Sequence, residues 1–259
     1  MTEHVRSEKS NGVLTLTLNR PEKKNALTRL MYKTLGEAID ASADDPDVRC
    51  ILLQGEGDMF TAGNDLADFA AVGKGQGAGA GRPGENPLLV ALARAKTPLV
   101  AAVHGRAVGV GVTMLLHCDL VFLSEDARLS TPFVNLALVP EAASSLLLPA
   151  RIGHARAFSM FVLGELVDAQ KALAWGLANA VVPRAELRAH ARAAAEAVAA
   201  RPPAAVAITK ALMRDPAGLA KRMDEEGTHF LAQLSSPEAG EAFAAFAEKR
   251  PPDFAKLRR

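Results

Sequence analysis

The sequence predicts an α/β core followed by a helical C-terminal piece. Short apolar runs of strand character alternate with segments of helical spacing through the first two-thirds of the 259 residues. Turn chemistry closes these segments, at Asn19-Arg20-Pro21, Asp44-Asp45-Pro46 and Gly55-Glu56-Gly57-Asp58. From residue 149 onward the pattern is helical, apart from a short extended stretch at 181–183. A chain of this length with 49% hydrophobic residues buries one large core, and the division expected is 1–195 for the core and 196–259 for a C-terminal helical region.

The elements follow in order. Asn11-Gly12 predicts a hairpin turn, and residues 13–18 alternate apolar with polar as a half-buried strand does. Residues 22–27 form a polar loop. Thr28 is placed to cap a helix in which Leu27, Leu30, Met31, Leu35, Ala38 and Ile39 fall at helical spacing. Residues 48–54 read as a buried strand, and 59–66 as a strand end, a glycine turn and a short helix. The glycine-dense stretch 73–86 is expected to be a mobile surface loop, placed to cover a pocket beside it. It does not have the pattern of a phosphate loop, because glycine follows its lysine. Residues 88–95 predict a helix and 99–103 a strand, which runs into a glycine turn and a helix start at 103–119. A strand at 120–123 follows. Asp168 is placed to cap a helix that ends at Gly176. Residues 186–200 form an alanine-rich helix broken by Pro202-Pro203, and further helices run to about Phe246. Trp175, Leu173 and Leu177 read as core, as do Phe158, Phe161 and Val162.

Composition excludes several classes of function. A net charge of +1 provides no field for nucleic acid or an anionic membrane. No apolar run reaches the roughly 18 residues of a membrane span. The N-terminus is polar, unlike a signal peptide, and the end Lys-Leu-Arg-Arg matches no organelle address. Cys50 and Cys118 lie far apart in apolar runs, as buried free thiols of a reducing compartment do. A cytoplasmic location is the expectation. The histidines 4, 104, 117, 154, 190 and 229 show no metal spacing, so no metal is expected. His104 lies near the glycine turn, within reach of a ligand there. Asp65 and Asp119 read as turn or strand ties, Glu165 and Asp168 as capping groups, and Ser144-Ser145 lacks the surroundings of a nucleophile.

Two turns share one form, a strand followed by small residues and a helix start: Thr61-Ala62-Gly63-Asn64 and Gly109-Val110-Gly111. Backbone amides at such places are unpaired, and two of them can grip one developing oxyanion. The same glycines would serve equally well to pack a helix close to a strand.

The chain resembles the crotonase superfamily of enoyl-CoA hydratases and isomerases. The resemblance rests on N-R-P-E-K-K-N-A-L at 19–27, F-T-A-G-N-D-L at 60–66, V-H-G-R-A-V-G-V-G at 103–111, C-D-L at 118–120 and D-A-Q-K-A-L-A-W-G-L-A-N-A-V-V-P at 168–183. It covers almost the whole chain in order and spacing. It implies a (ββα)n spiral core with a C-terminal helical trimerisation region, an acyl-CoA substrate, and a homotrimer or a hexamer built as a dimer of trimers. The resemblance also implies that the amides of Ala62 and Val110 form the thioester oxyanion hole. Lys24, Ala26, Asn64, Asp65 and Leu66 would lie along the CoA nucleotide and pantetheine, with Ala62, Gly63 and Gly109 also among the residues that bind the acyl-CoA. Phe246 and Lys249 would approach CoA, in many members from a neighbouring subunit, with Lys249 on the CoA phosphates. No cofactor is implied beyond the CoA of the substrate.

Hydratases of that family position water with two glutamates. The corresponding places here are Thr113 and Phe133, neither of them an acid. The string T-P-F-V-N-L-A-L-V-P-E-A-A-S-S at 131–145 is similar instead to peroxisomal-type enoyl-CoA isomerases, with Ala142 where their pattern has glycine. In that branch the glutamate of the Pro-Glu pair shuttles a proton from C2 to C4 of a 3-enoyl-CoA, which points to Glu141. The alternatives are another reaction of the superfamily (hydration, ring-opening isomerisation or thioester hydrolysis), or a non-catalytic acyl-CoA binder. A nucleotide-dependent oxidoreductase is disfavoured, because Met114 stands where a third glycine would be needed.

Overall fold

The structure, a computed structural model, describes residues 3–65 and 86–257. Most of the expected glycine-dense loop and Leu66 lie outside those residues. Asn86, its last residue, caps the helix that follows by accepting from the amides of Leu88 and Leu89.

The chain opens with a hairpin of β1 (Val5–Ser10) and β2 (Val13–Leu18). Asn11 and Gly12 turn it with φ of 49° and 75°, the paired left-handed residues a two-residue hairpin needs. All six residues of β2 are buried, not the alternate ones the pattern predicts. The reason is a second cover: α7 (Leu187–Ala199) lies on the face where Thr15 and Thr17 point, and Arg192 donates to the Thr15 hydroxyl. Helix α1 (Arg29–Ala41) starts at Thr28, whose hydroxyl accepts from the Met31 amide as expected. Leu30 is exposed despite its spacing.

Then come β3 (Cys50–Gly55), α2 (Pro87–Arg94), β4 (Leu99–Val103), β5 (Arg106–Val108), α3 (Val110–Thr113), β6 (Leu120–Ser124) and β7 (Arg128–Ser130). After them follow α4 (Ser144–Ile152), α5 (His154–Phe158), β8 (Val167–Asp168), α6 (Ala169–Ala174) and β9 (Ala180–Val182). One sheet has the order β1-β2-β3-β4-β6-β9, parallel except for β1, and a small sheet has the order β5-β7-β8. Successive strands alternate between the two: β4 then β5, β6 then β7. The chain therefore climbs as a spiral, and the main core fills the space between the sheets and α1 and α2. A second apolar layer lies under α7 on the outer face of the large sheet.

Helix α7 runs unbroken through residue 195, so the helical region begins after it and not at the expected boundary. That region holds α8 (Pro203–Leu212), α9 (Pro216–Leu234) and α10 (Pro237–Ala247). Asp168 caps α6 through the Lys171 amide, and Gly176 takes φ of 82° beyond its end, both as expected. Phe158 is a correction: it is 53% exposed, because the π-helical turn at Ser159–Leu163 rotates Met160 and Phe161 inward instead. No helix among the described residues is long and apolar enough to cross a membrane.

Asp119 ties two layers together. Its carboxylate accepts from the Leu99 amide at 2.7 Å and from buried Lys210 of α8 at 2.6 Å, while Lys210 also donates to Thr97 O at 2.9 Å. Removing one partner of such a pair leaves the other uncompensated. Lys210→Ala is expected to lose about 2 kcal/mol in urea denaturation, and Asp119→Ala combined with it to cost less than the sum of the single changes.

Candidate active site

The two glycine turns of the sequence meet in space. Thr61 donates its amide to Arg106 O at 3.1 Å, and the Val108 amide donates back to Thr61 O at 3.1 Å. No side chain separates them. A Cβ on Gly63 would lie 2.8 Å from Val108 O, and one on Gly111 would lie 2.4 Å from Thr61 Cγ2. Close packing and donor exposure are therefore one requirement here. The glycines let the turns dock, and docking brings Gly63, Asn64, Val108 and Gly109 to the lining of one cavity.

Which amides remain open is decided by the hydrogen bonds around them. Phe60 donates to His104 O, Thr61 to Arg106 O, Ala62 to Lys24 O, Gly63 to Thr61 Oγ1 and Asp65 to Leu27 O. Asn64 alone in this run has an amide that donates to nothing among the described residues. Ala62, expected to supply a donor, is thus a correction: its amide spans 2.9 Å to the Lys24 carbonyl and is engaged. In the second turn, Gly109 adopts φ of 55° and its carbonyl accepts from Val112 and Thr113. The Val110 amide, in the first turn of α3, has no acceptor among the described residues.

A cavity of about 70 Å³ opens where these turns meet, lined by Ala62, Gly63, Asn64 and Gly109 on one side. Phe133, Leu136 and Leu138 and, from α9, Phe230 close the other. Phe133 packs against Phe161 at 6.0 Å. Thr113 is buried and turns its hydroxyl to Val110 O. A larger cavity of about 750 Å³ lies elsewhere, among α4, α8 and the start of α9. Of its lining, Asp119 and three of the basic groups are already engaged. Asp119 holds Lys210, Arg151 donates to Leu116 O, and Arg214 donates to His117 O and Leu92 O.

Glu141 follows three residues after Leu138 of the smaller cavity's lining, and Tyr32 links it to Asn64. One of its carboxylate oxygens is buried without a partner. Burial, and next the charge of Glu226, push its carboxyl up to about 8. Tyr32 of α1 flanks it from another direction. The Tyr32 hydroxyl donates to Asn64 Oδ1, and its pKa is raised by burial first and then by Glu141. The chain leaves Glu141 through two left-handed residues, Ala142 at φ 62° and Ala143 at φ 55°. The buried His117 ring binds Ala142 O at 2.8 Å through Nε2, and burial holds His117 down to about 4, so it is neutral and donates Nε2–H.

The polar loop before α1 is a scaffold for the first turn. Asn25 is fully buried: its oxygen accepts from the Arg20 amide, and its nitrogen donates to Glu56 O and Met59 O. Arg20 pairs with Asp65 at 2.6 Å and donates to Ala26 O. Lys24 is exposed beside Asp58. His104 binds Gly57 O and pins that loop. Phe246 and Lys249 are exposed at the end of α10, which packs on α9 and the turn Val134–Leu136. No group of three or more His, Cys, Asp or Glu that could hold a metal lies among the described residues.

Tyr32, His117, Glu226 and Phe230 carry site geometry that sequence reasoning passed over. Only Glu226 and Phe230 left a trace: they fall on the buried stripe of α9 with Leu219, Met223 and Leu234, and a carboxylate on such a stripe is unusual.

A model of the enoyl-CoA hydratase/isomerase family matches residues 8–257. The chain belongs to that family. Across 98% of its length it is 33% identical to the 1,2-epoxyphenylacetyl-CoA isomerase of Escherichia coli (strain K12), covering 99% of that protein. It is 34% identical to the enoyl-CoA delta isomerase 2 of Rattus norvegicus over 93% of its length, although it spans only 62% of that longer protein. A crystal structure of an enoyl-CoA hydratase/isomerase from Pseudoalteromonas atlantica T6c superposes with a TM-score of 0.91 at 43% identity, over 97% of this chain and 99% of that one. The fold is the crotonase spiral, as the motifs implied.

A left-handed alanine costs roughly 1 kcal/mol, which glycine avoids at a similar entropic cost in the unfolded chain. Ala142→Gly is therefore expected to leave thermal stability within about 1 kcal/mol of the parent. Ala142→Val, branched at Cβ in a left-handed and buried position, is expected to lose about 2 kcal/mol or more.

Proposed function

We propose that this protein shifts the double bond of a 3-enoyl-CoA to the 2-position, with Glu141 as the single proton carrier. The observation that carries this reading is Glu141 without the pair of acids that a hydratase would carry. Glu141 keeps one buried oxygen unpaired, while Thr113 and Phe133 stand where paired acids would position water. The name of the rat relative, a delta isomerase, supports it. Glu141 removes a proton from C2. The electrons pass through the thioester carbonyl and the 3,4-double bond to give a dienolate. The amides of Asn64 and Val110 donate to its oxygen, and the same proton returns at C4. One base suffices, since what it takes it gives back. A preorganised amide pair in a dry site contributes several kcal/mol to such a step, about 3 per donor. Nothing beyond the CoA of the substrate is required. Lys24, Ala26, Asp65 and Leu66 are assigned to the CoA nucleotide and pantetheine, with Gly63 and Gly109 on the same acyl-CoA, and Phe246 and Lys249 approach its CoA part.

A second reading shares the same parts. The E. coli relative, matched over nearly its full length, is named for isomerising an epoxide-bearing aromatic thioester. Phe133 and Phe230 would suit a ring in the acyl cavity. Rates on 3-enoyl and aromatic epoxide thioesters compared side by side separate the two.

Outward-facing Ile208, Leu212 and Met213 on α8 and its end support self-association as a trimer or a pair of trimers. Light scattering is expected to give three or six chains, and the mass of one chain would remove this part of the reading.

Glu141→Gln is expected to lower kcat on a 3-enoyl-CoA by at least about 100-fold. Turnover near the parent value would sink the assignment. Only the carboxylate accepts the proton, so kcat/KM is expected to rise with pH to a plateau above about 8. Linkage sets the stability of the same variant. A carboxyl raised from 4.5 to about 8 contributes stability present below its ordinary value and lost as pH rises through about 8. Glu141→Gln should therefore melt above the parent at alkaline pH, and the gap should close toward pH 4.5.

A further inference from the structure

The turn that carries Glu141 is held from outside itself. Ala142 and Ala143 are consecutive left-handed residues, and neither is a glycine. Ala143 occupies the N-cap position of α4 and has no side chain able to cap it. The missing acceptor comes from α9, 83 residues further along the chain. Glu226 Oε2 accepts from the Ala143 amide at 2.6 Å, and Oε1 accepts from the Ser145 amide at 2.8 Å. Glu226 is 6% exposed and lies one helical turn before Phe230, which lines the cavity.

We propose that Glu226 is a positioning residue: its carboxylate locks the left-handed turn at Ala142–Ala143 and so fixes the direction from which Glu141 meets the substrate. This rests on Glu141 as the proton carrier. The charge of Glu226 has a second effect. Two N–H donors and the start of α4 favour its ionised form, against burial, which pushes it up. Glu141 has no such donors, so of the two carboxyls Glu226 ionises first. Its charge then strengthens Glu141 as a base. The other groups around the pair are few. Tyr32 faces Glu141 from α1, neutral His117 holds Ala142 O from the turn Met114–His117, and Arg222 lies one turn before Glu226.

The test compares pH profiles on a 3-enoyl-CoA for the parent, Glu226→Gln, Glu226→Asp and Glu141→Gln, with thermal melting of each. Glu226→Gln removes the charge and puts an NH2 against an amide. Its kcat is expected to fall about 10-fold or more with KM within about 3-fold, and its acid limb to move down by at least about half a pH unit. Glu226→Asp keeps the charge but falls one methylene short. Its acid limb is expected to stay while kcat falls. A Glu226→Gln protein with lower melting temperature but the parent's kcat and acid limb would show a helix cap only and overturn the inference. If Glu226→Gln does not fold, Glu226→Asp decides: parent-like kcat overturns the inference, and reduced kcat at an unmoved limb supports it. Parent-like turnover in Glu141→Gln would instead show that the Glu141 reading has failed, whatever Glu226 does.

Discussion

The site depends on direct backbone contact between the segment at 60–65 and the β5–α3 turn. Thr61 exchanges hydrogen bonds with Arg106 and Val108, and Gly63 and Gly111 leave no room for a side chain between them. Every amide from Phe60 to Asp65 except that of Asn64 is consumed in holding this arrangement. The open donors are what remains after the scaffold is satisfied, so their direction is as rigid as the scaffold. That is the preorganisation an oxyanion site needs, since donors that must reorient during reaction lose most of their advantage.

The Glu141 carboxylate is bound by the opposite rule. A buried polar atom is ordinarily paired, and Glu141 keeps one oxygen unpaired. Its environment is desolvated, and negative on the α9 side. Both features make the proton hard to lose and the base strong once it is lost. The loop tolerates this because its backbone is held at other points, by His117 on Ala142 O and by Glu226 on the amides of Ala143 and Ser145. Stability and reactivity are thus divided between neighbouring residues of one turn.

Much of this was legible in the chain. Asn11-Gly12, Thr28, Asp168 and Gly176 act locally, through φ or through an amide a few residues away, and each did what its type and position imply. The glycines at 63, 109 and 111 marked the two turns, and the absence of acids at 113 and 133 narrowed the chemistry. Phe158 and the pattern of β2 misled for one reason: periodicity reports a single buried face, and neither a π-helical turn nor a second covering helix alters it. The misplaced donor at Ala62 has a similar cause. Side-chain identity says nothing about which backbone amide a distant carbonyl, here Lys24 O, has already taken.

The sequence by itself determined the spiral α/β class, the two glycine turns, the capping residues and Glu141 as the lone candidate base. These follow from residue type and short-range spacing, which sterics and local hydrogen bonding translate directly into structure. Only the tertiary structure decided that Asn64 supplies the open amide, that Tyr32 and Glu226 flank Glu141, and that α9 closes the cavity with Phe230. Those relations join residues tens of positions apart. They arise when packing brings separate elements together and long-range hydrogen bonds select which groups stay free.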